Sequence, residues 1–179
     1  PISADTPQSA LQQAKNAASA RAQMLELRLD YINNLSSQLV DKLIPQIRAA
    51  TGLPLIVTCR DPKQGGANNY PLHLRSAVLT SAVNTRAEYI DYEYENFLLH
   101  RPSEKLKSVL KNNPETKLIL SAHNFKTTFP DIRKLHNQIC SAFPDVIPKL
   151  VYTANHINDC FPAFDLLHDT TSASIVFCM

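Results

Sequence analysis

The chain has no tryptophan, two methionines and only three glycines in 179 residues. Neither G-x-G-x-x-G nor G-x-x-x-x-G-K-[ST] occurs, and so few glycines weaken any nucleotide-binding reading. No run of eighteen apolar residues is present, so no segment reads as a membrane-spanning helix. Charge of one sign is also lacking. Lys plus Arg number 18 and Asp plus Glu 16, a net charge of +2, too small an excess to argue for nucleic acid or an anionic membrane as partner. Pro1 to Asp5 is not a basic segment leading into an apolar one, so no signal peptide is expected. The chain opens without an initiator Met, and the natural N-terminus is expected upstream. No C-x-x-C pair exists. Cys59, Cys140, Cys160 and Cys178 each lie in or beside an apolar run, which predicts buried free thiols in a reducing, cytoplasmic setting rather than a disulfide framework or a zinc site.

What is present is enough apolar material, 44% of residues, for one domain with a sizeable core. Strand-like runs cover Met24–Asp30, Pro54–Arg60, Tyr89–Tyr94, Lys117–His123, Ile147–Thr153 and Ala173–Met179. Several are nearly continuous apolar runs, such as Leu55-Ile56-Val57 and Leu118-Ile119-Leu120, as in the strands of a parallel sheet. Between them, Gln8–Ala22, Ser36–Ala50, Leu72–Arg86, Ser103–Asn112, Pro130–Ala142 and Asn158–Leu167 read as helices. Thr6-Pro7 and Gly52 supply a start and a stop signal. Strand and helix alternating every ~25–30 residues mean right-handed βαβ units. A full (β/α)8 TIM barrel needs ~200–250 residues. The expected fold is therefore an α/β barrel of this type, one domain over 1–179. It is expected to be incomplete at both ends, with its first strand largely absent and its last unit absent.

In such a barrel chemistry gathers at the C-terminal ends of the strands. Lys149 lies in the otherwise apolar Val146-Ile147-Pro148-Lys149-Leu150-Val151-Tyr152. A lysine there costs desolvation unless it is neutral or paired. A neutral amine is the nucleophile that imine formation requires, whereas a structural ion pair or a snorkelling side chain is the plainer reading. His123 ends another apolar strand and suits proton shuttling, though a lone strand-end histidine is more often structural. The pair says more than either member, because successive strand ends adjoin. Glu26, Arg28 and Asp30 alternate with leucines and should share one face. They suit a polar ligand or a buried ion-pair cluster. Asp91 and Glu93 read as a supporting charge network. Arg60 could grip a carboxylate or hydroxyl bidentately.

These residues together resemble a known family. Glu26-Leu27-Arg28-Leu29-Asp30, Thr58-Cys59-Arg60 followed by Gly65-Gly66, Asp91-Tyr92-Glu93, Ser121-Ala122-His123-Asn124-Phe125 and Pro148-Lys149 are similar, in order, to the motifs of type I 3-dehydroquinate dehydratases. The resemblance runs from the first helix to Met179. It implies a metal-free, cofactor-free conversion of 3-dehydroquinate to 3-dehydroshikimate, a step of the shikimate pathway. Lys149 would form an imine with the C3 ketone. His123 would take a proton from C2 and help the C1 hydroxyl leave as water. Glu26, Arg28, Arg60 and Gln64 would bind substrate, and Phe125, Phe177 and Met179 would line the pocket and keep it dry. The resemblance leaves open a homodimer or a fusion with shikimate dehydrogenase.

Two departures stand out. The family usually has Glu before the Gly-Gly pair, where this chain has Gln64, which can hydrogen-bond but cannot act as a base. The family's segment after Met179 carries a glycine and then a Ser-Arg whose arginine binds the substrate carboxylate, with a closing loop and an eighth strand. Those parts are expected to lie outside this sequence. Competing readings are a class I aldolase-type barrel, which shares a Schiff-base lysine, and a catalytically impaired dehydratase-like binding or regulatory module.

Overall fold

Alternating apolar residues on short strands, with helices between successive strands, decide the architecture. The computed structural model describes residues 1–179, the side chains of residues 100–102 excepted. Its strands are β1 (Leu25–Arg28), β2 (Leu55–Thr58), β3 (Tyr89–Glu93), β4 (Lys117–Asn124), β5 (Ile147–Tyr152) and β6 (Ile175–Cys178). Its helices are α1 (Pro7–Ser19), α2 (Ser37–Thr51), α3 (Leu72–Asn84), α4 (Tyr94–Leu98), α5 (His100–Asn112), α6 (Ile132–Cys140) and α7 (Phe161–Asp169). The six strands form one sheet in sequence order, every neighbour pair parallel. This is an α/β half-barrel. On the free side of β1, Ile2 makes an isolated parallel bridge to Leu27, which places one residue of strand-like backbone ahead of α1. None of the described helices is long and apolar enough to cross a membrane.

Helix ends follow local chemistry. Thr6 accepts the Ser9 N–H at the start of α1, with Pro7 in its first turn. Ser36 accepts the Leu39 N–H to cap α2, and Gly52 ends it in the left-handed region at φ 65°, as residues of this kind do. Val40, Leu43, Ile44 and Ile47 form the buried stripe of α2, at the spacing that faces a sheet.

The strands present two distinct faces. Leu25, Leu27, Leu55, Val57, Ile90, Tyr92, Leu118, Leu120, Leu150 and Val176 belong to the buried core. The alternate positions toward the C-terminal ends carry Glu26, Arg28, Thr58, Asp91, Glu93, Ser121, His123 and Lys149. Because side chains alternate with period two, these polar groups share the opposite, inner face.

Several expectations need correction. Asp30 is not on the strand but in a 3-10 turn, Leu29–Tyr31, fully buried. Arg60 lies beyond β2, because the strand stops at Thr58. The short helix α4 directly after β3 was not expected; Tyr94, Phe97 and Leu98 are spaced so that Phe97 alone buries. Asn158–Leu167 divides into a 3-10 turn, Ile157–Cys160, and α7. Of the four free cysteines only Cys59 is buried; the other three are partly exposed.

The loop after β2 is held by close backbone approach. A Cβ at Gly66 would meet the Arg60 carbonyl oxygen at 2.2 Å and its carbon at 2.9 Å. Backbone cannot yield as a flexible side chain can. Gly66→Ala should therefore destabilise the chain by roughly 2 kcal/mol or more, read as a lowered urea midpoint. An unchanged midpoint would show that the loop has room the structure denies it.

Candidate active site

A cleft of about 280 Å³ opens at the C-terminal ends of the strands, lined by Glu26, Arg28, Arg60, Gln64, Gly65, His123, Phe125, Lys149, Val151, Phe177 and Met179. Every residue singled out in the sequence as catalytic or substrate-binding borders it. Ser121 pairs in register with Lys149, and His123 with Val151. Lys149 and His123 thus project from neighbouring strands to the same face, His123 one pleat repeat higher. Strands ~4.8 Å apart rising ~3.3 Å per residue put their Cα atoms roughly 8 Å apart.

The floor of the cleft is a chain of opposite charges. Lys149 Nζ lies 2.8 Å from Asp91 Oδ2. Arg60 Nη2 reaches the same oxygen at 2.7 Å, and its Nη1 reaches Glu93 Oε1 at 3.1 Å. Glu93 Oε2 in turn meets Arg75 Nη1 at 3.0 Å, and Arg75 Nη2 lies 2.5 Å from Asp61 Oδ2. Ser121 sits between, accepting from Arg60 and donating to Asp91 Oδ1, each at 2.6 Å. Ser121 is small enough to let the Lys149 amine cross β4 and reach β3. Asp30 accepts two bonds from Arg28, at 2.9 and 2.7 Å, and also caps the Ala67 and Arg60 backbone N–H groups.

This geometry narrows several expectations. Of the alternatives left open for the Lys149 amine, the ion pair with an acid is the one the structure holds. Arg60 borders the cleft, but its guanidinium is buried and bonded to Asp91, Glu93 and Ser121, so in this state it organises the floor. Gln64 Oε1 is taken up by His123, 3.0 Å from Nδ1 and 3.2 Å from the backbone nitrogen. Glu26 accepts from Thr58 Oγ1 at 2.8 Å. Phe125, Phe177 and Met179 line the cleft.

Sequence reasoning missed Arg75. It is the lone charged residue in the Leu74–Val83 stretch of α3, and the logic that picked out Lys149 would have found it. Asn96, which donates to both Asp61 and Glu93, comes with the unexpected α4. Among the described residues no group of three or more His, Cys, Asp or Glu side chains could hold a metal ion.

Burial shapes the proton affinities. Burial alone would raise the Asp91 carboxyl, but Arg60 and Lys149 beside it hold it well below the usual carboxylate range. His123 is pushed down to about 3, first by burial and then by the Arg60 charge, with Asp91 opposing and Lys149 and Arg28 adding to the fall. The imidazole is therefore neutral across the physiological range.

The family model for type I 3-dehydroquinase matches residues 1–179. The chain belongs to the type I 3-dehydroquinase family. A 3-dehydroquinate dehydratase of Desulfotalea psychrophila is 32% identical over 163 residues, 88% of this chain and 67% of that protein. The pentafunctional AROM polypeptide of Kluyveromyces lactis is 36% identical over 141 residues, 75% of this chain but 9% of that polypeptide. Among solved structures, the type I 3-dehydroquinate dehydratase of Clostridium difficile, with a covalently modified comenic acid, superposes with a TM-score of 0.87 at 19% identity, covering 100% of this chain and 73% of that one. The enzyme from Enterococcus faecalis gives 0.84 at 22% identity, covering 100% and 77%. Membership in the 3-dehydroquinase family sets aside the aldolase-type reading.

Two outcomes follow from the charge network. Asp91→Ala leaves Arg60 and Lys149 facing each other without their shared carboxylate. It should cost about 3–5 kcal/mol of stability, against roughly 0–1 kcal/mol for breaking the half-exposed Arg133–Asp169 pair, both read by urea titration. A cost at Asp91 no larger than at Asp169 would mean the network is not under desolvation stress. The second concerns pH. Unfolded His123 takes up a proton below its ordinary value near 6.5, whereas the folded ring resists until about 3. Stability should therefore fall as pH drops from about 6.5, before the depressed carboxyls of Asp91, Asp30 and Asp61 add their loss below about 4. His123→Gln should flatten the upper part of this slope; equal slopes between pH 6.5 and 4.5 in both proteins would contradict the shift.

Proposed function

We propose that this chain dehydrates 3-dehydroquinate to 3-dehydroshikimate through a Schiff base on Lys149. The observation that carries the reading is the placement of Lys149 and His123 on adjacent parallel strands, facing one polar cleft, in a member of the type I 3-dehydroquinase family. No cofactor enters the scheme. The whole protein's activity is part of the proposal, because the chain spans only 9% of the K. lactis AROM polypeptide it matches.

The chemistry follows from the charges. At rest the amine of Lys149 is anchored by Asp91, and the neutral His123 is available as a base. The Lys149 ammonium hands one proton to His123, and its freed lone pair adds to the C3 carbonyl carbon. The carbinolamine oxygen takes a second proton from the nitrogen and the first back from the imidazolium, leaving as water to yield the iminium. That cation draws electrons from the C2–H bond, so even a weakly basic imidazole can remove the proton and leave an enamine. The imidazolium formed is a strong acid in this environment, which suits returning the proton to the C1 hydroxyl as it departs as water. A further water hydrolyses the product iminium and frees Lys149. The balance is one water lost per turnover. Asp91 stays beside the nitrogen throughout, where its fixed negative charge stabilises the positive intermediates.

Glu26 and Arg28 on β1 face the open cleft and are assigned the substrate hydroxyls. Arg60 holds the floor rather than the substrate, and Phe125, Phe177 and Met179 provide the apolar rim. The proposal places the reaction in the cytoplasm, on a small molecule and without nucleic acid or membrane, in a homodimer or in a fusion such as one with shikimate dehydrogenase. The AROM relatives support a fused arrangement. The impaired-module reading finds its support in Gln64, but it gives no account of Lys149 and His123 sharing one cleft.

Trapping tests the scheme. Incubation with 3-dehydroquinate followed by borohydride should leave one reduced adduct, mapped by mass spectrometry to the peptide carrying Lys149 and absent from Lys149→Met. An adduct elsewhere, or none, would falsify the Schiff-base assignment.

A further inference from the structure

We infer that Cys160 and Cys178 form a redox-sensitive dithiol on the outer side of β6, a modification site at which a low-molecular-weight disulfide such as oxidised glutathione drives closure of a Cys160–Cys178 bridge. The site lies on the far side of β6 from the cleft and uses none of the residues assigned to the reaction there.

One tyrosine sets the position of both thiols. Cys178 is in register with Tyr152 across the β5–β6 ladder, and the next residue, Met179, donates its N–H to the Tyr152 carbonyl at 2.9 Å. Cys160 closes the 3-10 turn Ile157–Cys160. The residue before it, Asp159, accepts the Tyr152 hydroxyl on its carbonyl oxygen at 2.6 Å. Asp159 is itself held, because its Oδ2 accepts the Asn155 and His156 N–H groups at 2.9 and 3.0 Å. Thus Tyr152 fixes Cys178 through its backbone and Cys160 through its hydroxyl.

Strand alternation turns Cys178 toward the turn. Phe177 and Met179 line the cleft, so Cys178 between them points the other way, where it packs against the core. On that side α7, which follows the turn directly, packs against β6. The Cys160 thiol lies beside the Cys178 thiol, and the Cys178 thiol beside the Tyr152 hydroxyl. The remaining cysteines are placed differently. Cys59 is buried, and Cys140 meets the ring nitrogens of His136 at 3.7 and 3.9 Å.

Closure takes two exchanges. Cys160 gives up its proton, and its sulfur attacks one sulfur of the small disulfide, displacing the first thiolate. Cys178 then gives up its proton and attacks the Cys160 sulfur of the mixed disulfide, displacing the second. The chain loses two protons and two electrons, and the small disulfide is reduced to two thiols. Bonded sulfurs are ~2.05 Å apart, so the end of the turn moves toward β6 in the last step. The bridge joins residues 18 apart in sequence and removes freedom from the unfolded chain. It also fastens the start of α7 to the strand end that carries Phe177 and Met179. A bridge that opens and closes with the thiol pool suits a reducing compartment, where disulfides are transient.

The test uses the native chain, incubated with oxidised glutathione without denaturant, then quenched with a thiol-alkylating reagent and digested. Mass spectrometry should find the Cys160 and Cys178 peptides cross-linked within one chain, lighter by two hydrogens than the reduced pair. Dithiothreitol should reverse the link. The oxidised chain should unfold at a urea concentration higher by about 1 M. In Cys178→Ser the exchange should stop at the mixed disulfide, with one glutathione retained on Cys160. Cys160→Ser should form no intrachain bridge, and it serves as the control should Cys178→Ser fail to fold. Separate glutathione adducts on Cys160 and Cys178 without a cross-linked peptide overturn the proposal. So do a bridge to Cys140, a bridge between two chains, or equal urea midpoints for the oxidised and reduced forms. None of these readouts uses 3-dehydroquinate, so they stand apart from the dehydratase reading.

Discussion

A carboxylate sealed from water must find cations, and Asp91 is fully buried on β3. An isolated ionised carboxyl in such a place would protonate rather than bear the desolvation cost. Arg60 and Lys149, at 2.7 and 2.8 Å from one of its oxygens, keep it ionised instead. That requirement propagates. Arg60 needs a second anion and finds Glu93; Glu93 needs a second cation and finds Arg75 on α3. The result is an alternating series, Arg75–Glu93–Arg60–Asp91–Lys149, that ties the C-terminal ends of β2, β3 and β5 to one another and to a helix outside the sheet. The position of the Lys149 amine is the last link of this series.

Burial first, and then the same series, set the behaviour of His123. The Arg60 and Lys149 charges that neutralise Asp91 also reach the imidazole and add to the cost of protonating it. The ring therefore keeps its neutral form well below its ordinary titration range. One arrangement thus anchors an ammonium on β5 and maintains a neutral base on β4, and neither effect needs a residue beyond the six strands and their loops. In the proposed scheme the ammonium must give up a proton before it can add to a carbonyl, and the neutral imidazole on the neighbouring strand is the group placed to take one.

Period-two alternation was legible in the sequence because it is local. The six strands were found within a few residues of their ends, and Lys149 and His123 stood out as polar breaks in apolar runs. What escaped was fixed by partners distant in sequence. Asp30 continues the alternation begun by Glu26 and Arg28, yet three backbone and side-chain donors around it favour a 3-10 turn over one more strand residue. Arg75 lies in a helix whose other members are mostly apolar, and only Glu93 and Asp61, 18 and 14 residues away, explain it. The engagement of Arg60 could not be foreseen either. A guanidinium beside a cleft suggests a ligand, and only the burial of Asp91 and Glu93 shows that its donors are already committed. Gln64 was read as a departure from the family's residue; that its oxygen meets both the backbone nitrogen and Nδ1 of His123 follows from the fold of the loop.

The site is uneven in how firmly it is built. Its polar wall, from β1 to β5, includes Arg60, Asp91 and Glu93, buried and each held by two or more partners, and such groups lose little freedom when a ligand arrives; Glu26 and Lys149 are partly exposed and bonded to Thr58 and Asp91 alone. Its β6 side is apolar, Phe177 and Met179, with backbone bonds from the Met179 N–H to the Tyr152 carbonyl and from the Ala154 N–H to the Met179 carbonyl. Covering these two side chains with a ligand removes apolar surface from water and contributes affinity without directing chemistry. The polar wall supplies direction and little of that burial. In the proposed reading, the orientation of a bound ring falls to Glu26, Arg28 and Lys149, and contact with the apolar rim adds affinity.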